Sequence, residues 1–265
     1  MIGIGIVTHN DVIDKQEITE HTDPFALLMD LISGIDMFTK EEYVLIIRDN
    51  DSLDYRFRAL NIALRKRFKH VNSLFIQSDI NDLTHAWNEI IRIALDDFDC
   101  EAVVMLNQDI LVTRSWEYFI QAVKRQNRDF IAPVASSSAY QELQHVPEEE
   151  YESQDLVWHI TSAQGFCWGA SRRALKENMF DSKNYFDPEV EWDYNEEEWE
   201  QRNNNSGGRT LLLKNTYVVH LDKGLWVKAG LRSTKRPKEL YRNETLSAIQ
   251  DTFKYSDYIR GKHDI

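Results

Sequence analysis

The 265-residue chain has too little glycine and proline, with ten and five, to be fibrous or rich in linkers. It has two cysteines, Cys100 and Cys167, and neither has a CxxC neighbour. That excludes a disulfide framework and a thiolate zinc site, and it leaves two free thiols outside any nucleophile context, as in a cytosolic protein. No stretch approaches about 18 apolar residues, so no membrane-spanning helix is expected. The apolar opening Ile2 to Val7 lacks a basic flank and a cleavage site and stops at His9-Asn10-Asp11, so it is not read as a signal peptide. The expected location is cytoplasmic. Positive charge is also scarce: 31 Lys and Arg face 44 Asp and Glu, for a net charge of −13. A chain this acidic is a poor non-specific binder of nucleic acid or anionic membrane. Its basic clusters, Arg65-Lys66-Arg67 with Lys69 and His70, and Lys235-Arg236 with Lys238, read as a solvated helix face and a tail.

Several catalytic signatures are missing as well. There is no GxGxxG, no phosphate-binding P-loop, no GxSxG elbow and no HExxH, which removes the commonest dehydrogenase, kinase, hydrolase and zinc-enzyme readings. What is present is a composition 42% hydrophobic and 28% charged, in a length that suits one α/β enzyme domain.

Short β-rich runs alternate with helical patterns through the first half. Strands are expected at Ile2–Val7, Tyr43–Ile47, Ser73–Ile76, Ala102–Leu106 and Phe130–Val134. Between them, Asp23-Pro24 opens a helix carrying Phe25, Leu28, Leu31, Ile32 and Ile35. A second helix is expected over 53–68, and a third after Asn81-Asp82 with Leu83, Ala86, Trp87, Ile90, Ile91 and Ala94 on one stripe. This alternation predicts a mostly parallel central sheet flanked by helices, with its ligand crevice at the strands' carboxyl ends. The polar clusters at 8–11, 48–52 and 107–109 all fall there. Residues 136–155 read as an acidic loop poised as a lid, 210–220 as a further strand, and the tail from Asn243 as an amphipathic helix.

Three clusters have residue types that carry chemistry. Asp109, just after a buried strand, is a carboxylate held rigidly at the sheet edge and suited to a divalent cation, although Asn and Asp also serve ordinary turns. His220 closes a strand and suits a metal or a phosphate, or simply a satisfied polar position. The acids Asp193, Glu196, Glu197, Glu198 and Glu200 suit a general base, or a solvated helix face.

In chain order these pieces resemble the GT-A-fold glycosyltransferases of family 2, in particular the rhamnosyltransferase-like branch. The resemblance spans about residues 1–224. Ile6-Val7-Thr8-His9-Asn10 resembles the family's opening strand and turn, and Ile46 to Ser52 its segment whose Asp contacts the base. Asn81 and Asn88 match two asparagines of a motif whose glycines are missing here. Leu106-Asn107-Gln108-Asp109 resembles the LNxD form of the DxD motif, Gly165 to Arg173 the acceptor-side segment, and Phe186-Asp187-Pro188-Glu189 the FDE element. Counting back from Arg202 aligns Glu196 with the expected base, with Glu197 and Asp193 as alternatives.

The resemblance implies a GT-A (Rossmann-like) domain over 1–224 and a helical extension over 225–265 packed on it. It implies transfer of a sugar from a UDP- or dTDP-linked donor to an acceptor hydroxyl, inverting and dependent on Mn2+ or Mg2+. Thr8, His9, Asn10, Asp49, Asn81, Asn88, Asn107 and Gln108 would bind the nucleotide-sugar. Asp109 and His220 would hold the metal. Gly165, Trp168, Trp192 and Trp199 would line the acceptor side, where with Trp158 and Phe166 the aromatics form a stacking platform or simply a core. The acceptor is a glycan, a lipid-linked intermediate, a protein or a modified nucleic-acid base, and a homo-oligomer is left open. A non-catalytic nucleotide-sugar-binding module is the rival reading. A nucleotidyltransferase would want a glycine-rich basic loop after the first strand, which His9-Asn10-Asp11-Val12 does not supply.

Overall fold

The computed structural model describes residues 1–10, 24–68, 71–135, 157–160, 163, 165–190 and 195–220. The expected lid, the C-terminal extension and the residues Asp23, Trp192 and Asp193 lie outside these.

Strands β1 (Ile2–Thr8), β2 (Tyr43–Asn50), β3 (Ser73–Ser78) and β4 (Ala102–Asn107) pair in parallel, with β1 between β2 and β4. The chain then adds β5 (Ile110–Val112), β6 (Phe130–Ala135), β7 (Val157–His159), β8 (Cys167–Ser171) and β9 (Thr210–His220). The result is a nine-stranded sheet in the order β3-β2-β1-β4-β8-β6-β9-β5, with β7 also on β9. Strands β6 and β9 run with the first four, and β5, β7 and β8 run against them. The α/β architecture with a mostly parallel sheet is therefore as expected. The short strands β5, β7 and β8 carry no periodic signature of their own, and the pairing partners that define them are distant in sequence.

Helices cover both faces, which is why β1, β2 and β4 are apolar on both sides rather than alternating. On one face α1 (Pro24–Phe38), α3 (Leu60–Arg67) and α5 (Trp116–Arg125) bury Leu28, Ile32, Leu64 and Phe119 against Ile2, Ile4 and Ile6. On the other, α4 (Leu83–Arg92), α6 (Arg172–Glu177) and α7 (Asn195–Asn205) bury Trp87, Ile90, Leu175 and Trp199 against Val44, Ile46 and Met105. Each such side chain contributes about 1.5–3 kcal/mol when fully buried. Helix α4 starts where its sequence says, with the Asp82 carboxylate accepting the His85 amide at 2.8 Å. The helix expected over 53–68 is instead two pieces, α2 (Tyr55–Arg58) and α3, broken at Ala59, where φ is −90° and ψ is 2°. The break lets both Phe57 and Leu60 enter the core.

Strand β1 is thin on the α4 face. A Cβ on Gly5 would lie 2.5 Å from Ile90 Cγ2 and 2.6 Å from Met105 Sδ. The absence of that atom lets α4 lie directly on β1, and β1 carries the first polar turn of the site. Gly5→Ala is expected to cost about 1–3 kcal/mol by overpacking, a fall of several degrees in calorimetric Tm. A Tm unchanged from wild type would show that α4 can ride outward freely.

Candidate functional site

Strand β1 lies where the sheet order turns back: the chain passes from β1 to β2 and β3 on one side, then to β4 on the other. Such a point leaves a crevice outside the strand ends. Register brings the polar clusters together there, with Thr8 beside Asp49 and Val7 beside Asn107.

Asp49 is fully buried, and Thr8 and Ser52 close over it. The Thr8 hydroxyl donates to Asp49 Oδ1 at 3.0 Å, the Ser52 hydroxyl donates to the same oxygen, and the Ser52 amide donates to Oδ2 at 3.3 Å. Burial still pushes the Asp49 carboxyl above its ordinary range, against the lowering effect of these hydrogen bonds. The turn that permits this places Asp51 at φ 57°. Asn10 completes the wall, its amide donating to Ser52 Oγ at 2.9 Å and its side chain to Asp54 at 3.3 Å.

His9 spans two strand ends. With its proton on Nδ1 the ring donates to the Asn50 carbonyl at 2.5 Å, and Nε2 accepts from Asn81 at 3.2 Å. Its own carbonyl accepts from Gln108 Nε2 at 2.8 Å, a bridge across the switch point from β4 to β1. Asn81 Oδ1 and Gln108 Oε1 are buried acceptors with no hydrogen-bond partner among the described residues. Buried acceptors of this kind are normally satisfied, and a ligand carrying hydroxyl or amide donors would satisfy them.

Asp109 and His220 meet. Strand β5 pairs β9 with Ile110 opposite His220, and this brings Asp109 Oδ1 and His220 Nε2 to 3.5 Å, with both residues buried. Two ligands of one cation, each about 2.1 Å away and at right angles, are about 3 Å apart, so this pair fits a shared divalent ion. Among the described residues no cluster of three or more His, Cys, Asp or Glu forms a complete cage. A cation there would take its remaining ligands from water or from a bound phosphate.

Beside this pair, the Phe166 ring stacks on the His220 ring at 4.6 Å and 29°. Gly165 precedes it, and its amide donates to Glu196 Oε1 at 2.8 Å. Glu200, one turn along α7, accepts the Ala163 amide at 2.8 Å. Of the three candidate bases, Glu196 is the one bonded to Gly165, whose neighbour Phe166 stacks on His220. Glu197 is exposed, and Asp193 lies outside the described residues. Glu198 is paired with Arg202 at 2.5 and 2.8 Å.

Two expectations need correcting. Trp168 and Trp199 are fully buried and pack with Phe130 at ring separations of 5.0 and 5.2 Å. They are core, because Trp168 projects from β8 of the sheet onto Trp87 of α4 while α7 turns Trp199 onto the sheet, and they cannot stack on an acceptor. Asn88 is not at the crevice surface. Its Oδ1 accepts the Tyr185 and Phe186 amides at 2.8 and 2.9 Å and its amide donates to the Phe186 carbonyl at 3.0 Å, clamping that segment to α4. Asn107 is half-buried and anchors its turn through a backbone bond to the Phe166 carbonyl at 2.9 Å. The cysteines are inert: burial pushes the Cys100 thiol up to about 11 and the Cys167 thiol well above its usual value.

Sequence reasoning missed Arg48. It is fully buried, bonds Glu89 at 2.7 Å, Ser78 at 2.9 Å and the Ile80 carbonyl at 3.3 Å, and also holds Asn50 Oδ1. The available signal was a lone charge at the end of the apolar run Val44 to Ile47.

No protein-family model matches the sequence, and no curated protein matches it significantly. Solved structures match in fold. The mannosyltransferase PcManGT from Pyrobaculum calidifontis, in complex with GDP-Man and Mn2+, has a TM-score of 0.63 at 13% identity, over 100% of this chain and 76% of that one. GalNAc-T7 with UDP, GalNAc and Mn2+ has a TM-score of 0.61 at 11% identity, over 83% of this chain and 43% of that one. This chain thus spans less than half the length of that protein. TarS residues 1–349 from S. aureus, in complex with UDP-GlcNAc, has a TM-score of 0.53 at 15% identity, over 85% of this chain and 60% of that one. The shared architecture is the GT-A fold. No helix among the described residues is long and apolar enough to cross a membrane.

The state of Asp49 has a measurable consequence. Its folded pKa is raised, so the folded chain holds this proton more tightly than the unfolded one, and ionisation subtracts from stability above the unfolded value of about 3.9. Asp49→Asn is expected to raise Tm at pH 7, with the gain over wild type shrinking as pH falls towards 4. A variant less stable than wild type at pH 7 would mean that the hydrogen bonds from Thr8 and Ser52 outweigh the burial.

Proposed function

We propose that this chain is a glycosyltransferase that moves a sugar from a UDP- or dTDP-linked donor to an acceptor hydroxyl with inversion, as in the family 2 enzymes it resembles. The observation that carries the reading is the meeting of Asp109 and His220 at 3.5 Å, buried at the carboxyl edge of the sheet. It is a place where fixed charge can act on a leaving group with little water to screen it.

The residues divide the work. Asp49, with Thr8 and Asn10, forms the wall for the base and nucleoside. Asn81 Oδ1 and Gln108 Oε1 supply acceptors for ribose hydroxyls. Asp109 and His220 would hold a divalent cation, Mn2+ or Mg2+, which when bound would supply positive charge for the leaving diphosphate. The acceptor oxygen attacks the anomeric carbon from the face opposite the diphosphate, the carbon–oxygen bond to the diphosphate breaks, and Glu196 takes the hydroxyl proton. The Gly165 amide, which donates to Glu196 Oε1 at 2.8 Å, helps hold the carboxylate for this task. Thr84 and Asn195, linked at 3.1 Å, tie the start of α7 to α4 and so set where Glu196 stands.

The test is release of nucleoside diphosphate from a panel of nucleotide sugars with Mn2+. Release from one donor, abolished by EDTA and reduced at least about 100-fold by Asp109→Ala, is expected, in line with the loss of one charge-stabilising group. Donor binding by thermal shift with no release under any acceptor would favour a non-catalytic binding module, and no binding of any donor would sink the transferase reading. Glu196→Gln is expected to lower kcat by about 10²–10⁴-fold with donor KM little changed. Near-wild-type turnover would move the base elsewhere.

A further inference from the structure

We infer that Phe166 is a positioning residue for the cation site, holding the His220 imidazole in the plane that points Nε2 at Asp109. The inference rests on the reading of Asp109 and His220 as cation ligands. Metal-bound imidazoles need their ring orientation set by a neighbour, and groups that do so change metal affinity though they never touch the metal. Here the Phe166 ring lies across the His220 ring at 4.6 Å and 29°, with Phe166 4% exposed and His220 6%. His220 is the last residue of β9 and pairs with Ile110 of β5.

Phe166 is itself held on two sides. Its carbonyl accepts the Asn107 amide at 2.9 Å, which ties it to the turn that carries Asp109. The preceding Gly165 donates to Glu196 at 2.8 Å, and a Cβ on Gly165 would stand 2.9 Å from the Glu196 carboxyl carbon. One dipeptide thus touches the turn of the first cation ligand, the ring of the second and the carboxylate of the base. The sequence alone places Phe166 with the acceptor-side aromatics, whereas the structure turns its ring to the histidine.

The experiment is Mn2+ binding by the full chain with UDP present, read as the free-ion EPR signal, with apo Tm measured alongside. Phe166→Leu keeps an apolar side chain but loses the flat face, and Phe166→Tyr keeps the face. Phe166→Leu is expected to weaken Mn2+ binding about 2- to 10-fold, the range of one aromatic pair, while Phe166→Tyr stays near wild type. His220→Ala is the second background. If Phe166 acts through His220, adding Phe166→Leu to His220→Ala weakens binding no further. Equal Mn2+ affinity of wild type and Phe166→Leu, or a full additional loss in the His220→Ala background, overturns the inference. A wild type that binds no Mn2+ with UDP present removes the cation site itself, an outcome distinct from a wild type that binds and a leucine variant that binds equally well.

Discussion

The site depends on one placement, β1 between β2 and β4. Pairing on both sides sets Thr8 beside Asp49 and Val7 beside Asn107, and a slip of one residue would turn Thr8 away from the carboxylate. The placement is possible because β1 carries glycine where α4 must approach closely. The same packing that buries Ile90 therefore decides where His9 and Asn10 leave the sheet.

The carboxyl edge is polar and almost dry, which is an expensive combination. Arg48, Asp49 and Asn50 are fully buried, and such groups persist only when other groups satisfy them. Arg48 is ringed by Glu89, Ser78, Asn50 and the Ile80 carbonyl, and Asp49 by Thr8 and Ser52. The two systems point to opposite faces of β2, because successive residues of a strand do. Arg48 stiffens the α4 side and Asp49 shapes the crevice. At Asp49 burial raises the carboxyl's pKa in spite of the hydrogen bonds from Thr8 and Ser52.

The second half of the chain contributes by delivery. Strand β9 carries His220 to Asp109, and α7 carries Glu196 to Gly165. Helix α7 has a polar outer face and a buried inner one, in which Trp199 packs in the core while Glu200 holds the Ala163 amide. Its acids thus have separate tasks: Glu196 and Glu200 hold the backbone around Gly165, Glu198 balances Arg202, and Glu197 faces solvent.

The first half of the fold was legible in the sequence, because parallel strands buried on both faces read as apolar runs that end abruptly in polar turns. Ile2 to Val7, Tyr43 to Ile47 and Ala102 to Leu106 announce both the strands and the edge at which Asp49 and Asp109 would stand. The short antiparallel strands announced nothing, since three to five residues carry no usable period and their partners are remote. Residue type marked Asp109, His220 and Glu196 as candidates, but only the pairing of β5 with β9 decided that the first two meet. Exposure is likewise a tertiary property. Trp168 and Trp199 have the composition of a stacking platform, yet the fold buries both between the sheet and its helices. Phe166 was one aromatic among several until the fold laid it on His220. What the sequence determined is the kind of strand and the chemistry at its end; which ends come together, and which aromatic faces which ring, is set by long-range pairing, to which local pattern is blind.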